Sequence, residues 1–156
     1  MVLTSLAGTT GCAVEPDTNV RSGDAGSDSF KELRKYYELH LPEDVSDLKW
    51  SEVTDWDSNQ LYLHMSADAD GAETVLASYS VHLQDAQAYR DGLCRAALPR
   101  SSGAAGQLPD DVARWRPSSG VAVRCGSGHG FDLLSAEVLV VVTGAQAREL
   151  FLHVSK

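Results

Sequence analysis

Two histidines carry the strongest claim to chemistry. His64 and His153 each stand two residues after an aromatic, Tyr62 and Phe151, inside segments that alternate apolar and polar residues. In a strand, residues i and i+2 point to the same face, so each His shares a face with its aromatic. If the two strands are neighbours, Tyr62, His64, Phe151 and His153 form one surface. That surface reads as a candidate binding groove or a weak metal site, and the plainer reading is a face covered by a helix. The other histidines, His40, His82 and His129, form neither H-E-x-x-H nor an i, i+4 pair with any of the five. No metal site, cofactor or catalytic residue is therefore assigned.

Other constellations fall short of their templates. Gly126-Ser127-Gly128-His129-Gly130 comes after a strand, as a phosphate loop would, but a phosphate loop needs a helix N-terminus next. The residues beyond Gly130 are strand-like, so the glycines read as a hairpin connection. Asp55-x-Asp57-x-Asn59 copies the first ligands of a calcium loop, whose sixth and twelfth positions should be Gly and Glu. Those positions hold Gln60 and Ser66, so the segment reads as a turn. There is no G-x-S-x-G elbow. Cys94 as a nucleophile would need a His beside it, and the pairs Glu43-Asp44 and Asp110-Asp111 read as solvated charge.

The elements that must position these residues can be read in order. Ser27, Asp28 or Ser29 caps a helix whose stripe is Phe30, Leu33 and Tyr37, stopped by Pro42. Leu48 to Val53 and Leu61 to Met65 are strands around an Asp/Asn-rich turn. Residues 71–83 fit two periods. Asp70 and Glu73 resemble a capping box before a helix from Gly71 to about Tyr79, while Val75, Ala77, Tyr79, Val81 and Leu83 also alternate. The helix is favoured. Asp85 to Leu98 reads as a helix ended by Pro99, and Asp110 to Trp115 as a short helical turn. Three strands close the chain, at 121–125, 133–143 and 148–154.

An internal echo supports the strand assignments. Val53-Thr54 before Leu61-Tyr62-Leu63-His64-Met65-Ser66 matches Val142-Thr143 before Leu150-Phe151-Leu152-His153-Val154-Ser155, at a constant offset of 89 residues. Duplication would produce this, but the pleat alone also favours the shared leucine alternation.

The front of the chain has a different character. Val2 to Gly11 are apolar or small and uncharged, Gly11 precedes Cys12, and Ala13 to Ser29 is rich in Asp, Ser and Gly. This resembles a bacterial lipoprotein signal, with Cys12 as the lipidated residue, although no Lys or Arg precedes the short apolar core. The expected organisation is a signal segment over 1–12, a flexible polar tether over 13–28 and one domain over 29–156. Isoleucine is absent and Arg outnumbers Lys by nine to four, a skew typical of GC-rich genomes. Together with Leu41-Pro42, Trp56-Asp57 and the closing Leu150-Phe151-Leu152-His153-Val154, the chain resembles small actinobacterial (Streptomyces-like) secreted lipoproteins of unassigned function. With Cys12 committed to lipid, the even remainder implies a disulfide between Cys94 and Cys125. The alternative is two buried thiols in a cytosolic protein.

Net charge is −9 with no cluster of basic residues, which argues against nucleic acid as a partner. No apolar run approaches the ~20 residues of a membrane-spanning helix. The expected fold is α+β: a mixed or antiparallel sheet from two hairpin regions packed against two or three helices, with one disulfide. The expected role is a non-enzymatic binding or interaction module on the outer side of the membrane, its membrane partner reached through the lipid on Cys12. The alternatives are an extracytoplasmic hydrolase with a dispersed acidic or His site, and a cytosolic protein with a misread N-terminus.

Overall fold

The computed structural model describes residues 19–55, 58–85, 109–115, 122–130 and 134–156. One antiparallel sheet of seven strands dominates it. In chain order the strands are β1 (Asn19–Asp24), β2 (Ser46–Thr54), β3 (Asn59–Asp68), β4 (Gln84–Asp85), β5 (Val123–His129), β6 (Ser135–Val142) and β7 (Ala147–Ser155). Across the sheet they run β1-β2-β3-β7-β6-β5-β4. Among the described residues three helices accompany them: α1 (Asp28–Tyr36), α2 (Ala69–Ser78) and the five-residue α3 (Asp110–Arg114).

The alternation of β3 sorts its side chains to two cores. Leu61, Leu63 and Met65 join Leu150, Leu152 and Val154 on one face, under Phe30, Leu33 and Tyr37 from the α1 side and Ala72 and Val75 of α2. Tyr62 and Phe151 lie on the other face with Cys125, Leu139, Val141 and Val112 of α3. Burial on both faces explains why β6 reads as a nearly continuous apolar run, Val138 to Val142, instead of alternating.

Each helix is held by identifiable local chemistry. Ser27 caps α1, its hydroxyl accepting from Phe30 N at 3.2 Å. The helix ends at Tyr36, well before Pro42, where Glu38 turns the chain with φ of 49°. In α2 the cap is Asp68, which accepts from Gly71 N at 2.7 Å, two residues ahead of the expected Asp70. Ala72, Val75 and Tyr79 are buried at helical spacing, so the competing alternation over 75–83 is not used.

The expected α+β architecture is corrected by the sheet. The two hairpin regions are not separate: β3 and β7 pair over nine positions, from Gln60↔Ser155 to Asp68↔Ala147, and fuse them into one strand-dominated fold. Residues 19–24, expected within the flexible tether, add strand β1, paired with β2 from Asn19↔Thr54 to Asp24↔Lys49. Among the described residues helices contribute less than strands, with nine, ten and five residues. The helix expected at 85–98 lies outside the described residues apart from Asp85, which ends β4. Cys125 is the one cysteine among the described residues, and its expected partner, Cys94, lies outside them.

The glycine-rich stretch is also reassigned. Gly126, Ser127, Gly128 and His129 are strand, paired with Val138 to Ser135 of β6, and not a connection. A Cβ on Gly126 would lie 2.4 Å from Val81 Cγ1, and one on Gly128 would lie 2.0 Å from the carbonyl oxygen of Tyr79. The segment leaving α2 crosses directly over β5, and only glycine leaves room for that backbone.

Candidate functional site

The four residues expected to share a face do so. In the β3–β7 register Tyr62 stands opposite His153 and His64 opposite Phe151. Tyr62 and His153 stack with ring centres 4.5 Å apart and planes 5° from parallel. His64 and Phe151 stack at 4.6 Å and 25°. Two carboxylates that the sequence reading did not single out complete the cluster. Glu149 Oε1 lies 2.6 Å from His64 Nε2, and Glu137 Oε2 lies 3.8 Å from His153 Nδ1. Both had a readable signal: Glu149 shares the parity of Phe151 and His153 on β7, and Glu137 is the one charge in the apolar β6.

The face is covered, in line with the plainer reading. Phe151 is 1% exposed and Tyr62 5%. Trp115, just after α3, lies against His64 with ring centres 5.9 Å apart, and Val112 of α3 is buried in the same cluster. Ser22 on β1 donates to Asp111 of α3 at 3.1 Å, fixing the helix across this face. Burial, with Glu137 nearby, pushes the Tyr62 phenol up to about 12, and its hydroxyl donates to Gln60 Oε1 at 2.8 Å. The remaining ring nitrogens, His64 Nδ1 and His153 Nε2, are buried with no hydrogen-bond partner. A carboxylate paired to imidazole orients the ring for proton transfer. A general base must also reach a substrate proton directly or through one water, and these nitrogens face the interior.

The remaining candidates are dispersed. Cys12, Cys94 and Asp57 lie outside the described residues. Asp55 N donates to Ser58 O at 2.9 Å just before β3. Among the described residues no three His, Cys, Asp or Glu side chains gather as they would around a metal ion. Asp110 and Asp111 open α3. Glu43 and Asp44 are exposed ahead of β2.

Asp44 borders a feature that the sequence did not announce. At one end of the sheet a shallow polar groove of about 600 Å³ lies between the starts of β2 and β7 and the end of β3. Asp44, Ser46, Asp68, Gln146, Arg148 and Glu149 contribute to its wall. Glu149 thus joins the groove to the buried cluster through its bond to His64. No single motif encodes the groove, because its residues come from three separate segments. Asn19, where the chain enters the sheet, stands at the opposite end, aligned with Thr54, Asn59 and the backbone of Lys156. The ten residues of β3 separate the two ends by about 30 Å.

Fold and site together define a small, predominantly β domain with a core on each face of an open sheet. No protein-family model, curated protein or solved structure matches the chain. No described helix is long and apolar enough to cross a membrane.

Proposed function

We propose that this chain is a non-enzymatic binding module of the cell envelope, held on the outer side of the membrane by lipid on Cys12. The observation that supports this reading is the placement of the two ends. The segment from Cys12 enters the sheet at Asn19, whereas the polar groove of Asp44, Asp68, Arg148 and Glu149 opens at the far end. A domain tethered at one end presents its opposite end to the surroundings. The groove is open and mixed in charge, which suits a polar ligand or a segment of a partner protein. Binding is favoured over hydrolysis because the two imidazole–carboxylate pairs turn their free nitrogens into the core.

The test is metabolic labelling with a fatty acid, comparing wild type with Cys12→Ala. The expected result is label on the wild type alone, with the protein removed from intact cells by external protease. An unlabelled chain that stays in the cytosol overturns the reading.

A further inference from the structure

We propose that the end of the sheet where the chain enters is itself a lipid-contacting surface, seated on the headgroups of the membrane that carries the anchor. This rests on the lipid-anchor reading above and adds to it a fixed orientation. The large hydrophobic side chains exposed among the described residues are Val20, at 52%, and Tyr36, at 46%. Both belong to this end. Val20 is the second residue of β1, opposite Val53. Tyr36 closes α1, and its hydroxyl accepts from Asn59 Nδ2 at 2.8 Å at the start of β3. The Lys156 ammonium sits 5.0 Å above the Tyr36 ring, and Lys35 lies beside it in the last turn of α1.

That combination suits an interface between water and lipid. Tyr places an apolar ring beneath a polar hydroxyl, and Lys extends its charge toward headgroups while its stem stays in apolar surroundings. Among the described residues, Asp55 beside Ser58 ahead of β3 and Glu38 just after α1 set negative charge against these lysines, so contact with the apolar side chains matters more than charge. Chain length supplies the second argument. Six residues separate Cys12 from Asn19, and fully extended they span no more than about 25 Å. The start of β1 therefore stays within a short reach of any lipid on Cys12, with Val20 next to it and Tyr36, bonded to Asn59 of β3, at the same end of the sheet. An anchor of acyl chains raises the local concentration of bilayer so far that a weak second contact suffices to hold the domain upright.

The chain's own lysines test this. Lys49 lies toward the other end of β2, opposite Asp24, while Lys156 and Lys35 lie at the anchor end. The full-length acylated protein would be placed in vesicles of phosphatidylethanolamine and phosphatidylglycerol and treated with an amine-reactive reagent. Its lysine labelling would be compared by mass spectrometry with the same protein in detergent. The expected result is several-fold protection of Lys156 and Lys35 with Lys49 unchanged. In a Val20→Ser, Tyr36→Ser variant that keeps its lipid and its circular dichroism spectrum, that protection should vanish. Equal labelling at both ends of an acylated, vesicle-bound protein overturns the seated orientation and leaves the anchor standing. Absence of any acyl group on Cys12 overturns the anchor, and the seated orientation with it.

Discussion

Leu63 stands directly opposite Leu152 where β3 pairs with β7. These two residues are also equivalents in the repeat, separated by its offset of 89 residues. The local two-fold axis of the antiparallel pair therefore coincides with the operation that relates one hairpin to the other. It exchanges the stacked pair Tyr62–His153 with Phe151–His64, and the two stacks have nearly the same spacing, 4.5 and 4.6 Å. The symmetry weakens outward. Thr54 pairs with Asn59, but it is Val142, not Thr143, that pairs with Arg148, so the outer strands differ in register by one residue. The carboxylate bound to His64 is likewise unmatched, because Gln60 holds the position equivalent to Glu149.

Leu63 and Leu152 are 1% and 0% exposed at the centre of the larger core. Truncation to Ala should cost about 3–4 kcal/mol at either site, from lost burial and the cavity left behind. Because the two side chains are direct neighbours, the double variant should cost less than the sum of the singles. Urea unfolding of the three variants measures this, and strict additivity would show that the two leucines do not share one packing environment.

The glycines of β5 make a sharper contrast. Gly128→Ala places a methyl 2.0 Å from the Tyr79 carbonyl oxygen, a backbone atom that cannot swing aside, whereas at Gly144 the nearest atom to such a methyl is 3.7 Å away. Gly128→Ala should lower stability by more than about 2 kcal/mol or prevent folding, and Gly144→Ala should stay within about 0.5 kcal/mol of wild type. Thermal melts of the two variants under one condition suffice. A Gly128→Ala protein as stable as wild type would refute the close crossing over β5.

Much of this was legible in the residues. The alternation at 61–65 and 150–154 placed four side chains on one face, because a pleated strand fixes direction by parity alone. Strand β1 was not legible. All six of its residues are exposed, so it carries no apolar period, and its Asn, Ser, Gly and Asp are the residues of a tether. It is ordered by Arg21 reaching Glu52 and by Trp50, whose ring lies across Gly23 and whose Nε1 donates to Asp24 O at 2.9 Å. Such partners lie far along the chain and leave no local trace. The strand character of Gly126 to His129 was hidden for a similar reason, since it answers to the crossing at 79–82.

Glu52 offers a way to test how β1 is held. Its carboxylate is 4% exposed and accepts from Arg21 on one side and from Tyr37 Oη, at 3.2 Å, on the other. The Arg21 guanidinium is raised above its usual value chiefly by its hydrogen bond to Glu52. Arg21→Ala should leave a buried carboxylate short of a counter-charge. With the Arg side chain 47% exposed, water offsets part of the loss, so about 1–2 kcal/mol is expected, below the value for a fully buried pair. Hydrogen exchange should also accelerate selectively across residues 19–24. Uniform acceleration throughout the sheet would mean that Arg21 does not pin the edge strand.

The tyrosines set the alkaline limit of stability. Burial raises Tyr79 to about 12, burial with Glu137 raises Tyr62 to about 12, and burial with Glu52 raises Tyr37 in the same direction. A phenol kept neutral by the fold ionises near pH 10 once unfolded. Its contribution is therefore fully present below about pH 10 and is lost as pH rises through 12. For Tyr62 and Tyr79 the loss is about 2–3 kcal/mol each. Tyr79 Oη is buried without a hydrogen-bond partner, so Tyr79→Phe removes a desolvated hydroxyl that gains nothing from the fold. At pH 8 the variant should equal wild type or exceed it by about 1 kcal/mol. Between pH 10 and 12 its stability should fall less steeply, as followed by urea unfolding at stepped pH. Equal slopes for the two proteins would mean that Tyr79 ionises in the folded state as readily as in the unfolded one.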